Sequence, residues 1–538
     1  MAKPKTPNQK RKYSELNKRL AKYVMLVESI YEDLNLEAAK IVGITDFTID
    51  SDRPFMWSDY PQTRKRIRDL QERFVEDIGA VIYSGTSEEW KNSNEVQDLL
   101  ANKVLQTYGV TIGKKNYEIL YQPNNDALKA FQQRKDKGFT ISDKLWNQST
   151  LYKQELEEAI SCAIQKGTSA IILSKQISKY LLDFPQLQKD YRERFGKASR
   201  SMDCEYRSIR LAASEINMAY RQAENLRWQQ MDFVVGYEIK LSNNHTCNGK
   251  PFQDICDILA GKYPKDFQWT GWHPLCRCYK IPILKTEEEF WEWDGRSEAT
   301  TASVNEVKDV PDAFKKWVLD NQERISTAKK RNTLPYFLRD NKSVYQKITV
   351  ESSISEIVKR ASSVGDEVQS TAERIAIKNG GYVTPINFKS TTSITRKVIT
   401  EGITPYDIKD AVRTTIIVPK SRIEDVLEEL HKTEGFLRLK RQKPESFMGY
   451  SGNIVNIRTT NGLTAEIQVN TERMIYAKER PEDAKRILGK KRWEEIHNET
   501  GMEGGLGHKY YEQWRILDKS SNEAVSYTHL TLPTILRV

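Results

Sequence analysis

The sequence has no unbroken apolar run long enough to cross a bilayer, and no charged start leading into an apolar stretch. Its opening, MAKPKTPNQKRKYSELNKRLAKY, is basic and polar, which argues against secretion by the usual signal and leaves no membrane partner to expect. Cysteine is scarce, with six in 538 residues, and four of the six (Cys247, Cys256, Cys276, Cys278) crowd into one short stretch. That distribution speaks against a secreted disulfide framework and for a metal site or a reduced cytosolic chain. Apolar residues are not lacking. At 38% hydrophobic and 29% charged, with mean hydropathy −0.66, the chain can build cores, and its length calls for two or three of them. A net charge of +10 suits polyanions such as DNA, RNA or nucleotide phosphates, or equally a solubilising surface.

The texture changes along the chain. Residues 11–230 read as mostly helical: KYVMLVESIYEDLNLEAAKIV repeats apolar residues at three- and four-residue spacings, and SIRLAASEINMAYRQAENLRWQQM has neither Gly nor Pro. FVVGYEIKLS then switches to strand composition, the Cys/His stretch follows, and YKIPIL closes it. Residues 286–340, with TEEEFWEWDGRSEATTASVNE, read as a linker. From about 341 helix and strand alternate, with RTTIIV as a buried strand, RIEDVLEELHKTEG as a helix capped at Gly435, and NIVNIRTT with LTAEIQV as a hairpin turning at Asn461-Gly462. A two-residue turn would set Val455 and Ile457 opposite Gln468 and Glu466. The last thirteen residues, SYTHLTLPTILRV, resemble a translated sequencing adapter and are set aside from fold reasoning.

The Cys/His stretch offers His245, Cys247, Cys256, His273, Cys276 and Cys278. Thiolates and imidazoles at that density can build a tetrahedral zinc site, yet the C-x8-C and C-x-C spacings are irregular for one. A compact turn with thiols packed as small hydrophobes is the alternative that this spacing favours. The helix residues Ala213, Glu215, Asn217 and Ala219, then Thr246 and Cys247, then His273, Pro274, Cys276, Arg277 and Cys278, resemble the phage Mu protein F family of head-morphogenesis proteins. The resemblance covers residues 151–285, with a helical region at 1–150 before it. It implies a minor head component of the virion with portal and capsid partners. From their density alone, Cys247, Cys256, His273, Cys276 and Cys278 are the candidate zinc ligands. The family's early Cys-x2-Cys is stretched here, which weakens the zinc reading.

The second module is denser in chemistry. Lys389, Ser393, Arg396 and Lys397 would share one helical face, a basic stripe with a hydroxyl that suits a triphosphate or a solvated surface. Asp407, Asp410 and Arg413 stand before a buried strand, where a carboxylate can hold Mg²⁺. Glu466 and Gln468 share a strand face. Lys443 closes the basic run RLKRQK, Tyr450 offers a stacking ring, and His508 lies in GLGHKYYEQWR.

Together, Lys389-Ser393-Ile394-Lys397, Asp410 before Ile416-Ile417-Val418, Gly449-Tyr450, Glu466-Ile467-Gln468, Thr471, Ala477-Lys478-Glu479 and His508 resemble the synthetase domain of RelA/SpoT proteins. That resemblance spans about residues 345–518, within a domain read as 341–525. It implies an α+β domain with a mixed sheet that moves pyrophosphate from ATP to a 3′-hydroxyl, usually of GDP or GTP to give products such as ppGpp. Asp410 and Glu466 would be the catalytic, Mg²⁺-binding pair. Lys389, Ser393, Arg396, Lys397, Arg413, Lys443, Tyr450, Gln468 and His508 would bind nucleotide. Asn387, Thr415 and the Gly452-Asn453-Ile454 run depart from the family where the acceptor is recognised, so nucleotide chemistry is better supported than GTP. No His-Asp hydrolase segment accompanies the module. The whole chain thus reads as multidomain: a mainly helical front half with a small Cys/His-rich β segment, then the synthetase-like domain. Three functions remain open: a head protein carrying an active, toxin-like pyrophosphokinase in virion and host cytoplasm, an inert virion protein, and a tRNA-directed enzyme.

Overall fold

The computed structural model describes residues 6–43, 53–163, 169–242, 246–247, 250–251, 253–291, 303–441, 452–501 and 503–506. The chain divides into two compact units, residues 1–345 and 346–538. No helix among the described residues is long and apolar enough to cross a membrane.

The first unit is built on long helices, Gln9–Val42, Arg64–Tyr108, Ile141–Ala163 and Cys204–Gln230. Their apolar stripes meet in one core that includes Tyr31, Leu34, Phe74, Ile78, Tyr152 and Leu156. Gly85 lets two of them close up. A Cβ there would stand 2.5 Å from Ile216 Cδ1, so a larger residue would force Ile216 to shift. A small antiparallel sheet follows, in the order β4-β1-β5, from β1 (Val234–Lys240), β4 (Gly261–Tyr263) and β5 (Tyr279–Leu284). Between them β2 (Thr246–Cys247) pairs with β3 (Lys250–Pro251). Much of the stretch read as a linker is folded. Helix Asp312–Asp320 buries Phe314 against Tyr263, ring centroids 5.9 Å apart, and Phe337 meets Trp272 at 5.2 Å. Its aromatic residues supply the apolar area that its Ser, Thr and Glu content concealed.

The second unit is α+β. Its six strands are β6 (Tyr382–Val383), β7 (Asn387–Phe388), β8 (Val412–Ile417), β9 (Phe436–Lys440), β10 (Asn453–Arg458) and β11 (Thr464–Asn470). The order β6-β8-β11-β10-β9, with β7 also on β8, is mixed: β8 and β11 run parallel and the other pairs antiparallel. Helices Gly365–Lys378 and Ile423–His431 cover one face and bury Val368, Ala372, Val426 and Leu430 against Val412, Ile416, Val455, Ile467 and Val469. Two local expectations change. The helix ends at His431, and Gly435 instead sits at φ 83° where β9 begins, its carbonyl accepting from Arg458 N–H at 2.7 Å. The β10–β11 hairpin forms, but its loop runs over residues 459–463, and only Gly462 of the dipeptide takes positive φ. Thr459 and Leu463 share a backbone hydrogen bond, and Asn461 Oδ1 accepts from Leu463 N–H and Thr459 Oγ1. The longer loop shifts the register by one, so Asn456 faces Glu466 and Ile454 faces Gln468.

Candidate active site of the second unit

Lys389 follows β7 directly, and its N–H donates to Ala411 O at 2.9 Å, which brings its side chain beside the second residue before β8. That residue is Asp410. Lys389 Nζ donates to Asp410 Oδ2, and Lys397 Nζ, from helix Thr391–Glu401, donates to Oδ1 at 3.1 Å. The helix starts at Thr391, two residues later than a continuous stripe from Lys389 requires, because the Ser390 side chain caps it by accepting from Ser393 N–H. Lys389 therefore stands outside the helix, not on its face. The two lysines still converge, from a strand end and from the second helical turn. Ser393 hydrogen-bonds Ser390, Ile394 is the helix's buried anchor, and Arg396 lies on the exposed side with Thr392 and Ile399.

Burial would raise the Asp410 carboxyl. Its hydrogen bond to Lys389 and the charges of Lys389 and Lys397 outweigh that and hold it below the ordinary carboxylate range. Asp407 plays another part: it accepts from Thr404 N–H and Oγ1 in a capping box that shapes the preceding turn.

The parallel β8–β11 register sets Arg413 beside Glu466 and Thr415 beside Gln468. Gln468 Nε2 donates to Glu466 Oε1 at 2.7 Å, and Lys478 Nζ donates to Gln468 Oε1 at 2.5 Å. Lys478 comes from helix Glu472–Lys478, which Thr471 caps, and it also pairs with Glu479 at 3.2 Å. Asn456 ties this row to the first cluster. Only 1% exposed, it donates to Lys409 O and Ala465 O, both at 3.3 Å, and accepts from Arg438 Nε at 2.7 Å. Asp410 and Glu466 thus belong to the same end of one sheet, bridged through Asn456 and the Lys409–Asp410 peptide. Two carboxylates are hard oxygen donors that suit Mg²⁺, and the lysines around them suit phosphate oxygens.

Sequence reading missed Asn456, because an expected valine–isoleucine neighbourhood took its place, and it treated Lys478 as a motif match only. Lys443, Tyr450 and His508 lie outside the described residues, as do His245, the side chain of Cys247 and residues 526–538. In the first unit, Cys256, Cys276 and Cys278 come together, and His273 stands beside Cys256.

No family model matches the chain. Over 166 residues, 31% of its length, it is 36% identical to the (p)ppApp synthetase toxin Tas1 of Pseudomonas aeruginosa (strain UCBPP-PA14). The chain spans 38% of the length of that curated relative. Among solved structures it is similar to a chain in the crystal structure of the complex between the Type VI effector Tas1 and its immunity protein. The identity there is 33%, the TM-score is 0.32, and the match covers 35% of this chain and 97% of that one. Over about a third of its length the chain is thus similar to a (p)ppApp synthetase toxin.

Proposed function

We propose that the second unit transfers pyrophosphate from ATP to the 3′-hydroxyl of an adenine nucleotide and acts as a toxin. The observation that carries the reading is Asp410, held ionised between Lys389 and Lys397 and linked through Asn456 to Glu466. Such a transfer depends on positioning and on offsetting phosphate charge. The 3′-oxygen bonds to the β-phosphorus, the bond from that phosphorus to the oxygen bridging the α-phosphate breaks, and AMP leaves. Lys389 and Lys397 are placed to take phosphate oxygens in exchange for Asp410. Asp410 and Glu466 would hold Mg²⁺, which supplies charge neutralisation on the phosphates when bound. Glu466 is also the carboxylate available to accept the hydroxyl proton, with Gln468 and Lys478 fixing its orientation.

The choice of adenine over guanine rests on the relative's printed product class and on the departures at Asn387, Thr415 and Gly452-Asn453-Ile454. The inert-protein reading is not favoured. The head-morphogenesis reading of the first unit stands on its sequence motif alone, and the comparisons bring no support for a phage head role or for portal and capsid partners. The full chain, incubated with ATP, Mg²⁺ and labelled ADP, ATP, GDP, GTP or bulk tRNA, tests the proposal. Labelled 3′-pyrophosphorylated adenine nucleotide is expected. Transfer to guanine nucleotides or tRNA in preference would overturn the acceptor assignment.

A further inference from the structure

The first unit holds a second constellation that pyrophosphate transfer does not use. Cys256 sits in the short helix Ile255–Leu259, while His273, Cys276 and Cys278 come from the turn that leads into β5. The three cysteine Sγ atoms lie within 4.8 Å of one another, all on buried residues. Cys256 Sγ stands 3.8 Å from Cys276 Sγ and 3.2 Å from His273 Nε2. Thiolates on one tetrahedral zinc, with Zn–S near 2.3 Å, stand about 3.8 Å apart. The cysteines are free, so no disulfide accounts for their approach.

The surroundings are built for a cation of this kind. His273 Nδ1 lies 2.7 Å from Pro274 O, which places its proton there and leaves the Nε2 lone pair facing Cys256. Asp254 Oδ2 lies 3.3 Å from the same Nε2, in one cluster with Cys256, and its Oδ1 accepts from Cys256 N–H. Asn217 Nδ2 donates to Cys276 O at 2.9 Å, and Arg221 donates to the carbonyls of Thr270, Cys276 and Cys278 at 3.0, 2.7 and 2.8 Å. Arg221 is 1% exposed and its Nε is buried without a partner. The nearby buried carboxylate, Glu224, is paired by Lys280 at 3.3 Å. A buried guanidinium whose hydrogen bonds go to neutral carbonyls calls for an anion. Zinc with three thiolates and a neutral imidazole carries one negative charge, which Arg221 would balance.

We infer that Cys256, Cys276, Cys278 and His273 bind one structural zinc ion, which ties helix Ile255–Leu259 to the turn before β5. The three thiolates already cluster, and His273, beside Cys256, would close the set as fourth ligand and leave no position for substrate, so the role is stability.

The test uses the full chain expressed with added zinc and measured by elemental analysis after gel filtration. The expected content is about one zinc per chain, falling to a small fraction in C276S/C278S and unchanged in C162S. If C276S/C278S does not fold, wild-type protein decides: stripping with a chelator should lower its Tm, zinc should restore it, and magnesium should not. Cobalt should give the intense visible absorption of a tetrahedral thiolate site, altered in H273A. Folded wild-type protein that holds no zinc after reconstitution, or C276S/C278S with full zinc, would overturn the inference.

Discussion

Asp410 has both carboxylate oxygens engaged by lysine ammonium groups, an arrangement in which phosphate and metal can trade places with side chains. Lys397→Ala should raise the KM for ATP about tenfold, with kcat falling less, because a charge-assisted phosphate contact contributes roughly 1.5–3 kcal/mol. Steady-state kinetics with ATP varied would show it, and an unchanged KM would remove Lys397 from the phosphate site. Asn456 acts differently, by holding the peptide before Asp410. Asn456→Ala should cost about 1–3 kcal/mol of stability in the second unit. It should lower kcat while leaving the KM for ATP near wild type, as denaturant melts and kinetics on one preparation would reveal. The acidic residues of the motif were legible because the resemblance fixed their order. Asn456 was not, since it depends on a register that loop length decides.

At the scale of elements, the hairpin shows where sequence reading stops. Alternating β-branched residues marked both strands, and Asn461-Gly462 marked the reversal. The loop type was hidden, because it rests on Thr459, Asn461 and Leu463 closing five residues with side-chain and backbone bonds. Gly435 makes a similar point. Read as a helix cap, it serves as the tight start of β9: a Cβ there would meet Arg458 O at 2.3 Å, at φ 83°. Gly435→Ala should therefore destabilise the second unit by about 2 kcal/mol or more. A chemical melt resolved for that unit would check it, and no change would mean the backbone there relaxes freely. Lys389 also belongs at this scale. Its place after β7, outside the helix, follows from Ser390 winning the capping position, a competition that face-counting cannot see.

Across the whole molecule, the division into a helical unit and an α+β unit was visible in composition, whereas the packing of residues 312–339 into the first unit was not, since the Ser, Thr and Glu content of the preceding stretch masked their aromatic residues. The first unit also carries a pH response. Burial, with Glu28, Asp203 and Glu32 nearby, raises the Glu205 carboxyl from 4.5 to about 7. Folding therefore takes up a proton between those values, so stability falls as pH rises across that window and levels off above it. The Tm of the first-unit transition should be roughly 1–3 °C higher at pH 5 than at pH 7.5, and Glu205→Gln should shrink the difference. An equal Tm at both values would contradict the assigned environment.

The central claim is that Asp410 and Glu466 form one catalytic centre for pyrophosphate transfer. The measurement that tests it most directly is transfer from labelled ATP to ADP by the full chain, beside Asp410→Ala and Glu466→Ala. AMP release matched by labelled product is expected in the wild type, with each variant reduced by at least about a hundredfold while its melting curve stays two-stepped. Wild-type protein, folded and inactive on every acceptor, or either variant retaining full activity, would contradict it.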